Sequence, residues 1–129
     1  MQLNTDMRIL VVDDSSTMRR IIKADLKELG FKNVITADDG KPAWEIIQRE
    51  TIDLILSDHK MPGMSGQELL SLVRKHPDYK CLPFIMITAE AFRENVLEAI
   101  KLGVSNYVVK PFSAQQLREK IEKVCCAVC

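Results

Sequence analysis

Short apolar runs alternate with segments of helical periodicity along the chain, and this alternation limits the fold more than any other feature. Five runs are too short for helices and rich in β-branched residues, as expected for buried strands: 8–12, 34–37, 54–56, 83–88 and 107–109. Five segments carry apolar residues at helical spacing: 16–29, 42–50, 65–76, 92–102 and 113–124. Strands and helices that alternate in this way form right-handed βαβ units. The pattern therefore predicts an α/β fold, with a doubly wound parallel sheet of five strands and five helices.

Local motifs mark several of the helix starts. Ser65 with Glu68, and Ser113 with Gln116, have the spacing of a capping box, in which each side chain accepts a hydrogen bond from the other residue's backbone. Residues 37–40, Ala-Asp-Asp-Gly, have the composition of a turn. The second helix is therefore expected to begin only after this turn.

Length and charge restrict the class of protein. The 129 residues suffice for one hydrophobic core but not for two, so residues 1–129 are expected to form a single domain with its core at about 8–124. The 18 basic and 18 acidic residues balance, which argues against a nucleic-acid partner. No apolar run approaches the roughly 20 residues of a membrane span, and the first residues do not resemble a signal peptide. We therefore expect a cytoplasmic protein with no membrane insertion.

Chemically reactive side chains stand at the carboxyl ends of the predicted strands. In an open α/β sheet, ligands bind at this edge, where the strand order reverses. Each residue alone is also typical of a turn or a helix cap, but their coincidence at one edge favours a functional site. The first strand is followed by Asp13 and Asp14, the third by Asp58 and the fifth by Lys110, and the fourth ends in Thr88.

The charges in this group indicate a metal ion. Three carboxylates and one ammonium carry an excess of two negative charges, which would drive a proton back onto at least one carboxylate. A divalent cation removes the excess, and oxygen ligands favour Mg²⁺ over zinc. Mg²⁺, a lysine and a hydroxyl around one carboxylate are the groups that stabilise a phosphoryl group in transfer. The carboxylate itself can act as the nucleophile and form an acyl phosphate.

Four segments around these residues closely resemble the motifs of response-regulator receiver domains. They are 11–14 (Val-Val-Asp-Asp), 56–63 (Leu-Ser-Asp-His-Lys-Met-Pro-Gly), 87–89 (Ile-Thr-Ala) and 107–112 (Tyr-Val-Val-Lys-Pro-Phe). The resemblance extends over about 8–124. No output domain is expected, and in this respect the chain resembles the single-domain chemotaxis regulators of the family. It implies a flavodoxin-like sheet with strand order 2-1-3-4-5.

The resemblance also implies how the acidic residues act. Asp58 would accept a phosphoryl group from the phosphohistidine of a sensor histidine kinase, in a Mg²⁺-dependent reaction. Asp14 and Asp58 would bind the metal ion directly, and Asp13 mainly through a water molecule. The backbone carbonyl of Lys60 would supply another ligand.

The remaining matching residues imply a switch rather than an enzyme. Lys110, joined to Pro111 by a cis peptide bond, would pair with the phosphoryl oxygens. Thr88 would hydrogen-bond the phosphoryl group and shift when it arrives, and Tyr107 would then swing inward and reshape the partner-binding surface. The implied partners are the kinase, a downstream target such as a flagellar switch or a phosphotransfer protein, and a phosphatase.

Other protein classes share parts of this pattern. A flavodoxin-like electron carrier has the same architecture, but Asp13 and Asp14 would repel the phosphate of FMN. A Mg²⁺-dependent aspartyl phosphohydrolase usually carries a second acid just after its nucleophile, where this chain has His59 and Lys60. Within the family, a phosphorelay intermediate that passes the phosphoryl group to another histidine differs only in its partners, so this alternative stays open.

Two further groups are expected to take no part in the chemistry. Arg19, Arg20 and Lys23 have the pattern of a solvated helix face, near which a kinase or phosphatase could dock. His59 adjoins Asp58, but the resemblance places the phosphoryl group on the aspartate and leaves the histidine at most a role in specificity.

Overall fold

Five parallel strands form one sheet in the order β2-β1-β3-β4-β5, as expected. The structure, a computed structural model, describes residues 4–59, 61–89 and 93–125. The strands are β1 (Arg8–Val12), β2 (Asn33–Ala37), β3 (Leu54–Asp58), β4 (Phe84–Thr88) and β5 (Asn106–Val109). The helices are α1 (Ser16–Glu28), α2 (Gly40–Arg49), α3 (Gly66–Lys75), α4 (Arg93–Leu102) and α5 (Ala114–Cys125). The α/β prediction is confirmed, and residue 92, the expected start of the fourth helix, lies outside the described residues.

Side chains of the sheet alternate between two hydrophobic layers. Ile9 and Val11 of β1 belong to a core with α1 and α5, whereas Leu10 and Val12 belong to a core with α2 and α3. Successive side chains of a strand point to opposite faces, so a strand covered on both faces must be apolar at every position. This requirement explains the uninterrupted apolar runs that predict the strands.

Most element boundaries differ from the expectation by a residue or two, and two of these differences bear on the site. β3 extends to Asp58, so the carboxylate belongs to the last residue of the strand and not to the loop after it. α2 begins at Gly40 inside the predicted turn, because Asp39 caps it by accepting a hydrogen bond from the Lys41 N–H at 2.6 Å. The Gly40 N–H donates to the carbonyl of Met64 at 3.1 Å, a contact between distant parts of the chain that turn composition does not reveal.

Both predicted capping boxes are present. The Ser65 hydroxyl accepts from the Glu68 N–H at 3.2 Å, and the Glu68 carboxylate accepts from the Ser65 N–H at 3.4 Å. The corresponding distances between Ser113 and Gln116 are 3.1 and 2.8 Å. These reciprocal bonds satisfy backbone donors that the first turn of a helix leaves unpaired.

No helix among the described residues has the length and apolar character needed to cross a membrane.

Candidate functional site

Three carboxylates meet at the carboxyl edge of the sheet. β1 and β3 are neighbours, with Val12 opposite Ser57, so the residues that follow in each strand lie side by side. Carboxylate oxygens of Asp13, Asp14 and Asp58 all lie within 4.8 Å of one another. The sheet reverses its strand order at this pair of strands, which is where α/β proteins bind ligands.

Lys110, which follows β5 at one end of the sheet, places its positively charged ammonium group beside this cluster. Its Nζ lies 3.1 Å from Asp13 Oδ2 and 3.3 Å from Asp58 Oδ1. The backbone N–H of Lys110 donates to the carbonyl of Thr88 at 2.8 Å, which anchors the residue at the end of β4, and the Lys110–Pro111 peptide bond is cis as expected. One ammonium group, at the end of β5, therefore contacts the carboxylates that follow β1 and end β3, although β4 lies between β5 and these strands.

Burial makes the charge of Asp58 unfavourable. Its side chain is only 13% exposed, and that of Asp13 is 1% exposed. Burial raises the pKa of Asp58 above its usual 3.8, and the neighbouring charge of Asp13 raises it further. The Lys110 ammonium and the hydrogen bond from the His59 N–H act in the opposite direction. The cluster thus holds more negative charge than its single lysine balances.

This donor set fits a divalent cation. The three clustered carboxylates supply oxygen atoms, which Mg²⁺ prefers, and Asp14 is exposed while the other two are largely buried. The cluster therefore opens to solvent on one side, where a hydrated ion can enter. Lys60, whose carbonyl is the fourth predicted ligand, lies outside the described residues, so its role stays a prediction.

Thr88 and Tyr107 share one face of the sheet. Thr88 is the last residue of β4 and is 3% exposed, and Met86 two residues earlier pairs with Tyr107 of β5. Because side chains of a strand alternate, Thr88 points to the same face as Met86, and Tyr107 packs against the core that contains Met86. Tyr107 is half-buried, and burial raises the pKa of its phenol. The structure thus places the two predicted switch residues on adjacent strands and on the same face.

Gly66 lets helix α3 begin directly against the end of β3. The Gly66 N–H donates to the carbonyl of His59 at 3.1 Å, which closes the loop that follows Asp58. A Cβ at Gly66 would overlap the carbonyl oxygen of Asp58 and lie 3.0 Å from the sulfur of Met86. Only glycine therefore permits this close approach of the α3 backbone to the phosphoacceptor candidate.

We expect Gly66→Ala to lower the free energy of unfolding by about 2 kcal/mol, because backbone and not a flexible side chain occupies the space of the new methyl group. Urea unfolding measures this loss. Lys75→Ala, an exposed substitution on the same helix, serves as the control and should change stability by less than about 0.5 kcal/mol. Equal stabilities of the two variants would contradict the proposed close packing.

Arg19 differs from the expectation of a solvated helix face. Arg19 is not simply a solvated residue, because its Nη1 donates to the carbonyl of Asp13 at 2.6 Å. His59 is 6% exposed, and its place as at most a specificity position stays a prediction. The sequence contains no local signal for the Arg19 contact, since a basic residue on the first turns of an amphipathic helix usually faces water.

Comparison with known proteins agrees with this geometry. Residues 9–122 match the response regulator receiver domain. The chain is 49% identical over 122 residues to chemotaxis protein CheY-3 of Vibrio cholerae, covering 95% of this chain and 94% of that protein. It is 52% identical over 118 residues to chemotaxis protein CheY of Pseudomonas aeruginosa, covering 92% and 95%.

Solved structures give the same result. The structure of V. cholerae CheY4 superimposes with a TM-score of 0.86 at 34% identity, covering 92% of this chain and 98% of that chain. A CheY-like receiver domain protein of Methanospirillum hungatei superimposes with a TM-score of 0.85 at 32% identity, covering 93% and 94%. This chain belongs to the response regulator receiver domain family.

Proposed function

We propose that residues 1–129 form one receiver domain, that this domain acts as a two-component response regulator of chemotaxis, and that it is phosphorylated on Asp58. The observation that carries the proposal is the cluster of Asp13, Asp14 and Asp58 with the Lys110 ammonium in contact with two of its carboxylates. The two CheY relatives, each about half identical over nearly their whole length, support chemotaxis as the pathway.

The proposed reaction uses Asp58 as the nucleophile. A carboxylate oxygen attacks the phosphorus of a phosphohistidine, the P–N bond breaks, and the imidazole leaves with the electron pair of that bond. Lys110 Nζ lies 3.3 Å from Asp58 Oδ1, close enough to pair with an oxygen of the incoming phosphoryl group. Thr88, buried at the end of the neighbouring strand, supplies a hydroxyl on the same edge.

We assign Mg²⁺ to the acidic cluster. Asp13, Asp14 and Asp58 would hold it, together with the carbonyl of Lys60. When bound, Mg²⁺ offsets the negative charge of the carboxylates and of the phosphoryl oxygens. The excess negative charge of the cluster supports this assignment, because the raised pKa of Asp58 reflects the cost of placing its charge in a buried position beside Asp13, and a bound cation would offset that cost.

Membership of the receiver domain family supports the proposed partners. The protein would act in the cytoplasm, where a sensor histidine kinase would donate the phosphoryl group, a flagellar switch or phosphotransfer protein would receive the signal, and a phosphatase would end it. The protein would act as a switch that is itself modified, and not as an enzyme that turns over a separate substrate.

Intact-mass measurement after incubation with acetyl phosphate tests the proposal. We expect the chain to gain one phosphoryl group when Mg²⁺ is present and none when EDTA removes it. A chain that binds Mg²⁺ but gains no mass would contradict the proposed function, and a gain that persists in EDTA would contradict the proposed metal dependence.

A second prediction concerns the switch. Beryllofluoride with Mg²⁺ mimics an acyl phosphate, so we expect it to shift the NMR signals of the Tyr107 ring in the wild type. Thr88→Ala should lose this shift because it lacks the hydroxyl that would follow the phosphoryl group, whereas Thr88→Ser should retain it. Thr51→Ala, an exposed substitution just before β3 and therefore at the opposite edge of the sheet from Thr88, is the control. A wild-type response in Thr88→Ala would refute coupling between Thr88 and Tyr107.

A further inference from the structure

Arg19 is joined to the acidic cluster through the backbone. It lies near the start of α1, and its Nη1 donates to the carbonyl oxygen of Asp13 at 2.6 Å. Its own backbone N–H donates to the carbonyl of Ser15 at 3.0 Å. Among the side chains that the structure describes, no carboxylate forms an ion pair with Arg19. The guanidinium therefore stabilises the loop between β1 and α1 by its hydrogen bond to the Asp13 carbonyl.

Asp13 is held through all its polar groups. Its N–H donates to the carbonyl of Ala37 at 3.1 Å, and its Oδ1 accepts from the Ser15 N–H at 2.9 Å. Its Oδ2 accepts from Lys110 Nζ at 3.1 Å, and its carbonyl oxygen accepts from Arg19. A bond from a charged donor is stronger than one between neutral groups, so the Arg19 bond is a principal restraint on this carbonyl.

The carbonyl of Asp13 belongs to the peptide unit that leads into Asp14. This unit is planar, so holding its oxygen also sets the direction in which the Asp14 Cα and side chain leave the strand. Asp14 is exposed, and its carboxylate forms no hydrogen bond or ion pair with any other described residue. No partner side chain therefore directs it towards Asp13 and Asp58, and the backbone sets the direction from which it approaches them.

We propose that Arg19 is a positioning residue of the metal site, which orients the Asp13–Asp14 peptide so that the Asp14 carboxylate faces the cluster. The inference rests on the proposed function, since it takes the cluster as the site of Mg²⁺. Two effects of Arg19 on the ion have opposite signs. Its hydrogen bond strengthens Mg²⁺ binding by aligning a ligand, whereas its positive charge near the cluster weakens binding by repulsion. The direction of change on substitution therefore separates positioning from charge.

The experiment measures the Mg²⁺ dissociation constant of the full chain by isothermal titration calorimetry. We expect Arg19→Met, which removes the donor and keeps an apolar stem, to weaken Mg²⁺ binding about tenfold, as loss of a group that orients a metal ligand does. Arg19→Lys keeps a donor and the charge, and should bind within about threefold of the wild type. Because the charge opposes Mg²⁺ binding, recovery in Arg19→Lys comes from the donor.

Arg20→Met is the matched control. It removes the same charge from the adjacent, exposed position of α1, where the structure places no bond to the loop. Its Mg²⁺ affinity should equal or slightly exceed that of the wild type. Thermal unfolding in EDTA checks that each variant is folded at the titration temperature. If Arg19→Met is unfolded at that temperature, the Mg²⁺ affinity of Arg19→Lys relative to the wild type decides the question.

Three outcomes overturn the inference. Mg²⁺ binding by Arg19→Met that equals or exceeds that of the wild type would show that repulsion dominates, and Arg19→Lys binding as weakly as Arg19→Met would show that the donor does not matter. In both cases the wild type still binds Mg²⁺ and the proposed function stands. A wild type that binds no Mg²⁺ would instead refute the metal assignment, and the inference with it.

Discussion

Asp58→Asn is expected to abolish phosphorylation and, in the absence of metal, to make the folded protein more stable. The amide of asparagine does not replace the carboxylate as a nucleophile, so the variant should gain no phosphoryl group where the wild type gains one. Asparagine has nearly the same shape, and its oxygen can still accept the bond that the His59 N–H donates to Asp58 at 3.0 Å. Loss of phosphorylation would therefore not reflect loss of the fold.

The gain in stability follows from the raised pKa of Asp58, which burial causes first and the charge of Asp13 second. With a raised pKa, the folded chain binds the proton more tightly than the unfolded chain does. The wild type therefore loses stability as pH rises from the usual aspartate pKa of 3.8 through the raised value. Asparagine does not titrate, so Asp58→Asn should be more stable by about 1 kcal/mol at neutral pH, and the difference should vanish below the usual pKa.

Urea unfolding in EDTA at about pH 7 and at about pH 3, below the usual aspartate pKa, measures both parts of this prediction. Asp38→Asn, an exposed aspartate at the same edge of the sheet, is the control and should change stability little at either pH. If Asp58→Asn is less stable than the wild type at neutral pH, Asp58 is stabilised by Lys110 more than it is destabilised by burial. Phosphorylation of Asp58→Asn to the wild-type level would exclude Asp58 as the acceptor.

Lys110→Met is expected to cause the largest loss of stability of the substitutions considered. The variant would leave Asp13 and Asp58 close together and largely buried without the ammonium that lies 3.1 and 3.3 Å from them. Removing one partner of a buried ion pair costs several kcal/mol, and the partial exposure of Lys110 places the expected loss at about 2–3 kcal/mol. The pKa of Asp58 should rise further, because Lys110 is one of the groups that lower it.

Two additional measurements identify the cause of this loss. Saturating Mg²⁺ should recover much of the stability of Lys110→Met, since another cation then neutralises the same carboxylates. The double variant Lys110→Met/Asp58→Asn should be more stable than Lys110→Met alone, because one of the two repelling charges is gone. Lys75→Met, at an exposed position of α3, is the control. A loss that neither Mg²⁺ nor the second substitution reduces would show that Lys110 acts through packing and not through charge.

Local sequence patterns predict most of the strands and helices of the fold. The central strands β1, β3 and β4 contain apolar runs because they are covered on both faces, and the helices carry their apolar residues at helical spacing. The starts of α3 and α5 follow from capping boxes, whose hydrogen bonds join residues only three positions apart. The chemistry is also local, because Asp13, Asp14, Asp58 and Thr88 stand where their own strands end. The strand order did not follow from such patterns; the resemblance to receiver domains supplied it.

Tertiary structure decided how these groups meet. Lys110 contacts Asp13, 97 residues away in the chain, because β5 and β1 lie in one sheet; local periodicity carries no information about that distance. The start of α2 combines both kinds of contact: the Asp39 cap is local, whereas the Gly40 N–H donates to the carbonyl of Met64 from a distant loop.

Arg19 and Gly66 show the limit of local patterns most clearly. On its helix alone, Arg19 is a surface cation, and it holds the Asp13 carbonyl only because α1 packs back against the end of β1. Gly66 is an ordinary first residue of a helix until the carbonyl of Asp58 is placed against it. The sequence by itself thus identified the candidate residues of the site. Contacts between elements decided how deeply these residues are buried, how their charges balance and how the Asp13–Asp14 loop is supported. Electrostatic energies depend on the distances between charges, and only the folded chain defines those distances.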